Sequence, residues 1–133
     1  MNPKFHDLVV THWGARFMGH TLPVSIGRSG IAEKVGEGDG ITPIGNFSIK
    51  TIGFRNDRIS FSSRNIVKIY TRLNDLWSDD PSDKDYNHKV CSHDYSFSHE
   101  KLRRSDGLYD AYGILDYNWP NAKPGKGLSL IHI

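Results

Sequence analysis

A single cysteine, Cys91, stands in 133 residues, so no internal disulfide can form and the redox compartment is left open. No apolar run approaches the length needed to span a bilayer, and the N-terminal stretch MNPKFHDLVV lacks the apolar core of a signal peptide. Like charges form no blocks. With 17 Lys and Arg against 15 Asp and Glu the formal net charge is +2, which leaves out the basic footprint of a nucleic-acid binder. Internal repeats, low-complexity tracts and linkers are missing as well. What is left, 37% hydrophobic and 24% charged, fits one soluble domain large enough to bury a core.

The most informative stretch is Lys34 to Ile49, KVGEGDGITPIGNFSI. Gly36, Gly38 and Gly40 alternate with Glu37 and Asp39, a pattern that lets the backbone reach positive φ repeatedly and predicts a tight, specific loop. Thr42-Pro43 and Gly45 then lead into a strand in which Phe47 and Ile49 alternate. Two familiar loop types do not fit. Glu37 and Asp39 would repel a phosphate, and no helix signal follows to supply a positive N-terminus. The alternating acidic ligands of a calcium loop are missing too.

Around this stretch the chain reads as β structure. Strands are predicted over Leu8 to Thr11, Arg16 to Met18 and Thr21 to Ile26, the last at an edge or with a bulge because Pro23 cannot donate to a ladder. Further strands are predicted over 46–54, Ile66 to Tyr70 and Tyr112 to Asn118. Residues 76–90, LWSDDPSDKDYNHKV, read as one long ordered loop rich in turn formers and anchored by Trp77 and Tyr86. One helical turn is predicted at SHEKLRR, with Ser98 as its cap, Glu100 early, and Lys101, Arg103 and Arg104 late against the helix dipole.

Three strings in this order resemble the YkuD-like L,D-transpeptidases, the cysteine enzymes that cross-link bacterial peptidoglycan. The first is G-D-G-x-T-P-x-G-x-F, carried by Gly38, Asp39, Gly40, Thr42, Pro43, Gly45 and Phe47. The second is W-x-D-D-P-x-D-x-x-Y-N-x-x-V from Trp77, which matches a proteobacterial-type branch. The third comprises R-R-S-D-G-L-Y-D, D-Y-N and P-G-K-G. The resemblance spans about residues 20 to 127. It implies a mainly β, sandwich-like fold with one short helix, a location in the periplasm or cell envelope, and peptidoglycan stem peptides as partners. It implies acyl transfer through a cysteine thiolate, with no metal or organic cofactor. Asp106, Tyr109, Asp116 and Asn118 fall in matching strings and become candidates for lining the substrate groove, although Asp-Gly turns and strand ends need no ligand.

The resemblance stops before the chemistry. In the family a strand of the type G-S-A-I-F-x-H and then an S/T-x-G-C segment supply the histidine and the nucleophile. These 133 residues contain no S/T-x-G-C, and the last strands of the fold are expected to be missing. His132 stands one position short of the family histidine, and a one-residue slip turns a strand side chain to the opposite face. Leu128 to Ile133, LSLIHI, is also what a transposon end used in sequencing-library preparation encodes when read through. The expectation is therefore a catalytic-domain fragment over 1–127 and an adapter-derived tail over 128–133, with no catalytic residue present. Cys91 lies two residues from His93, but a nucleophile also needs its base in reach and a third group to orient that base. His88, His93 and His99 have no zinc-site spacing. The alternatives are a non-catalytic peptidoglycan-binding module and, further off, an unrelated small β-domain.

Overall fold

The computed structural model of the chain describes residues 2–133, and among them there are strands and turns but no helix. No helix long and apolar enough to cross a membrane occurs among the described residues. The chain forms two units, the first ending at Gly45 and the second running over Asn46–Ile133.

In the first unit β1 (Val9–Thr11), β2 (Gly14–Phe17) and β3 (His20–Leu22) make an antiparallel meander, with Val10 opposite Ala15 and Arg16 opposite Thr21. Ala15 is its fully buried residue. The third strand was expected to reach Ile26 but stops at Leu22, directly before Pro23, which has no N–H for the ladder. β4 (Ile31–Ala32) and β5 (Thr42–Pro43) pair in parallel and bracket the glycine-rich loop.

The second unit holds two sheets. Its strands are β6 (Ile49–Phe54), β7 (Val67–Tyr70), β8 (Asp75–Ser78), β9 (Lys89–Cys91), β10 (His99–Lys101), β11 (Ala111–Leu115) and β12 (Leu130–His132). One sheet has the order β12-β11-β6-β7 and the other β10-β8-β9. β6 and β7 run parallel, so the chain must cross over between them, and segment 55–66 does so. At the far edge β12 pairs antiparallel with β11, placing His132 opposite Tyr112 and Leu130 opposite Ile114.

Burial follows these central strands. All four residues of β8 are buried, and Trp77, Leu102, Tyr109, Tyr112 and Ile114 form the core cluster. Ile69, Trp119, Leu128 and Leu130 pack against it.

The helix expected at residues 98–104 is corrected: residues 99–101 are strand β10, with Glu100 opposite Trp77 and Lys101 opposite Leu76. Seven residues are too few for a helix to be stable by propensity alone. Pairing with the buried β8 and complete burial of Leu102 give a larger return, so tertiary contacts override the local signal. Residues 76–90 form a hairpin-like excursion from β8 to β9 with an ordered turn-rich tip, and both expected anchors, Trp77 and Tyr86, are buried.

Candidate functional site

The glycine-rich loop is folded around one of its own carboxylates. Asp39 accepts bonds from Lys34 Nζ at 2.6 Å and from the amides of Val35 at 2.9 Å, Gly36 at 3.2 Å and Ile41 at 2.9 Å. The loop thus has an anion-binding concavity whose anion is internal, which is the physical reason it is no phosphate cradle. Outside the ring of amides, Arg28 Nη2 donates to the carbonyl of Gly38 and Ser29 Oγ to that of Asp39, while Thr42 Oγ1 accepts from the amide of Gly27. Gly38 and Gly40 both sit at φ +71°, as the alternating glycines led one to expect, and a Cβ on Gly40 would lie 2.8 Å from Arg28 Cγ.

The Lys34 ammonium and the converging amides hold the Asp39 carboxyl far below its ordinary value. A depressed folded-state pKa contributes stability that is fully present above the unfolded value and is lost as pH falls below it. Asp39→Asn is therefore expected to lower the thermal midpoint near neutral pH, with the gap to the parent narrowing below about pH 4. Melting curves over a pH series check this. A gap that stays constant into acid would show that charge is not what Asp39 contributes.

In the second unit the residues of the 76–90 excursion lock one another. Asp80 accepts from the amide and hydroxyl of Ser82 and from the amide of Ser98. Asp83 accepts from Ser78 Oγ, the Asp85 amide and the Tyr95 hydroxyl. Burial acts to raise Asp83, but these hydrogen bonds outweigh it and its pKa lies below the ordinary value. Burial and the bond to Asp83 push the Tyr95 phenol up to about 12.

Asn87 is the hub of the unit. Its Oδ1 accepts from Trp77 Nε1 at 3.1 Å and the Ser129 amide at 2.9 Å, and its Nδ2 donates to the Asn118 carbonyl at 2.6 Å and to Ser129 Oγ at 2.8 Å. All four bonds of a buried carboxamide are made, the full inventory for that side chain. Beside it Tyr86 Oη accepts from the Gly127 amide at 3.1 Å. Asn87 was not among the residues picked out from the sequence; the Tyr-Asn pair inside the second string was the available signal.

No hydrogen bond or ring contact joins any two of the four groove candidates, Asp106, Tyr109, Asp116 and Asn118. Asp106 forms a double hydrogen bond with Arg104, at 2.8 and 2.7 Å, and caps the Leu108 amide; its pKa falls to about 2, chiefly through Arg104. Tyr109 is buried, with its ring against Tyr112 and 4.5 Å from that of His132, and burial pushes its phenol well up. Asp116 accepts from the Ser48 amide at 2.8 Å. Asn118, at φ +51°, ties together the 118–127 loop through Lys123 and Gly127. Each has a fold-supporting job.

A cavity of about 270 Å³ opens beside the hub, lined by Thr51, Val67, Ile69, Trp77, His88, Lys89, Ile114 and Trp119. Its walls are mostly apolar, and Thr51, His88 and Lys89 supply the polar groups; the Lys89 ammonium lies 3.7 Å from Asp75, a loose pairing. An apolar pocket with a few polar groups is the usual form of a small-ligand site. Cys91 is exposed at the end of β9, its thiol 4.0 Å from the Leu73 carbonyl. It belongs to a different sheet from His132. No group of three or more His, Cys, Asp or Glu side chains that could hold a metal occurs among the described residues.

Compared with known proteins, the chain matches no family model, no curated protein and no solved structure.

Proposed function

We propose that this chain is a domain of the L,D-transpeptidase type that engages peptidoglycan stem peptides at the periplasmic face of the cell envelope. The observation that carries the reading is the meeting of the strings behind the resemblance. Trp77, Tyr86 and Asn87 come from the second string, and Asn118 and Gly127 from the third. They are joined by buried and partly buried hydrogen bonds beside the 270 Å³ cavity. Strings far apart in the chain that share one buried polar network have a common structural purpose, because such a network is stable only when every member is satisfied. The cavity suits a short peptide end: Trp119, Val67 and Ile69 take apolar surface, and the Lys89 ammonium draws a terminal carboxylate.

Titration with a stem tetrapeptide, followed by amide chemical shifts, tests this. Saturable shifts around Lys89 and Trp119 are expected, with affinity reduced several-fold by Lys89→Ala and by amidation of the peptide's C-terminus. Shifts absent from residues lining the cavity would remove the support for the reading.

A second reading, a non-catalytic peptidoglycan-binding module, is favoured by Cys91. Its thiol is exposed and contacts a backbone carbonyl, whereas acyl transfer needs a thiolate beside its base.

A further inference from the structure

The crossover 55–66 walls a second cavity, about 340 Å³, that shares no lining residue with the one beside Asn87. Three aromatic rings form one side. Phe54 is buried, and the rings of Phe61 and Tyr70 meet it edge-on at 5.7 and 5.2 Å. Phe61 and Tyr70 are nevertheless 38% and 56% exposed, so apolar ring surface faces the opening. Exposed aromatics fixed by a buried third ring form a prepared platform at little entropic cost.

Apart from Ile59 the remaining lining groups are polar, and they differ in how far they are committed. Asp57 is clamped by Arg55 through Nε at 2.8 Å and Nη2 at 2.6 Å, with Arg103 Nη2 at 3.6 Å, so its carboxylate is oriented and stays ionised. The Arg58 guanidinium is spent on the carbonyls of Ser105 and Asp106 and on the Asp110 carboxylate. Among the described residues the side chains of Asn56 and Ser60, and the Tyr70 hydroxyl, make no hydrogen bond.

This combination selects a chemistry. Arg58, the cation among the lining residues, is already engaged, and the Asp57 carboxylate beside it repels an anion. The polar side is too rich in oriented acceptors for a lipid chain. A ligand with flat C–H faces and a rim of hydroxyls satisfies both sides at once: its faces cover Phe61 and Tyr70, and its hydroxyls reach Asp57, Asn56 and Ser60. We propose that the groove under the crossover binds a short neutral saccharide of one or two pyranose rings. The volume sits at the lower end of the small-molecule range, about 300–1,000 Å³. The proposal stands apart from the stem-peptide reading, because it uses other residues and another cavity.

The test is amide-shift titration of the 133-residue chain with maltose, cellobiose and N,N′-diacetylchitobiose in separate series. At least one is expected to give saturable shifts at residues 54–61 and at Tyr70. Tyr70→Ala and Asn56→Ala, both exposed and tolerable to the fold, are each expected to weaken that binding about tenfold or more. Unchanged spectra away from the groove verify that the variants are folded. The proposal is overturned if no saccharide gives saturable shifts, if the shifts lie outside the groove, or if both variants titrate like the parent. Loss of stem-peptide binding with saccharide binding intact would sink only the stem-peptide reading.

Discussion

Gly53→Ala is expected to destabilise the second unit by about 3 kcal/mol or more, at or above the upper end of ordinary overpacking. Gly53 lies in the middle of β6, paired with Tyr112 of β11 and Ile69 of β7, so it has a neighbour on each side. A Cβ there would sit 2.1 Å from Cζ and 2.4 Å from Cε1 of Tyr112. That ring is fully buried in the core cluster and held edge-on by Tyr109 at 5.9 Å, so it has nowhere to go. Interiors are packed too closely to absorb such a shift. Gly113 supplies the comparison, being next to Tyr112 on the same sheet. Its added Cβ meets the methyl ends of Ile131 at 3.0 Å and Ile49 at 3.3 Å, which can move by a few tenths of an ångström. Gly113→Ala should therefore cost about 1 kcal/mol, and urea denaturation of the two variants should rank them clearly. Replacing the ring by Tyr112→Val in the Gly53→Ala background should relieve part of the loss. Equal costs for the two glycines would mean that the Tyr112 ring is not the obstacle.

Gly53 also shows where the sequence stops being readable. That a strand runs up to Phe54 follows from β-rich composition and turn punctuation, and its core over Ile49–Phe54 was legible. Nothing in the string says that this glycine faces a tyrosine some sixty positions on. The same limit applies to pairing. The run Ile66 to Tyr70 was readable as a strand, but it could not show that β7 runs parallel to β6, since direction depends on the crossover rather than on either strand. In SHEKLRR the cap and charge placement favoured a helix and were local; the pairing with β8 that made it a strand was not. Trp77 and Tyr86 were legible as anchors because large aromatics flanking a polar loop have few other places to go. Asn87 was not, because a buried amide and a solvated amide look alike until their partners are known. The glycine-rich loop was the most legible element of all. Its positive φ angles and the carboxylate that occupies its amides both follow from residues inside the loop, Gly38, Gly40 and Asp39.

Incubated with a β-lactam of the carbapenem type, which the cysteine of L,D-transpeptidases would accept, the 133-residue chain is expected to gain no mass. The reason is chemical. Acyl transfer needs a nucleophile, a base within hydrogen-bond reach of it, and amides aimed at the developing oxyanion, all in one arrangement. Removing the nucleophile from such a set abolishes nearly all of its rate enhancement, several powers of ten. The thiol available, Cys91, ends an exposed strand and approaches the Leu73 carbonyl at 4.0 Å, an acceptor that cannot raise its thiolate fraction. His132 packs its ring on Tyr109 instead, in another sheet. Intact mass spectrometry on the 133-residue chain, and on a form extended by whatever in-frame sequence the gene carries after it, separates the outcomes. An adduct on the longer form alone would establish the enzyme and place its nucleophile outside these 133 residues. No adduct on either form, with stem-peptide shifts retained, would favour the binding module. An adduct on the 133-residue chain that disappears in Cys91→Ser would make Cys91 a nucleophile after all. Its base would then have to come from a rearrangement of the segment after β9, where His93 is the nearest imidazole in sequence.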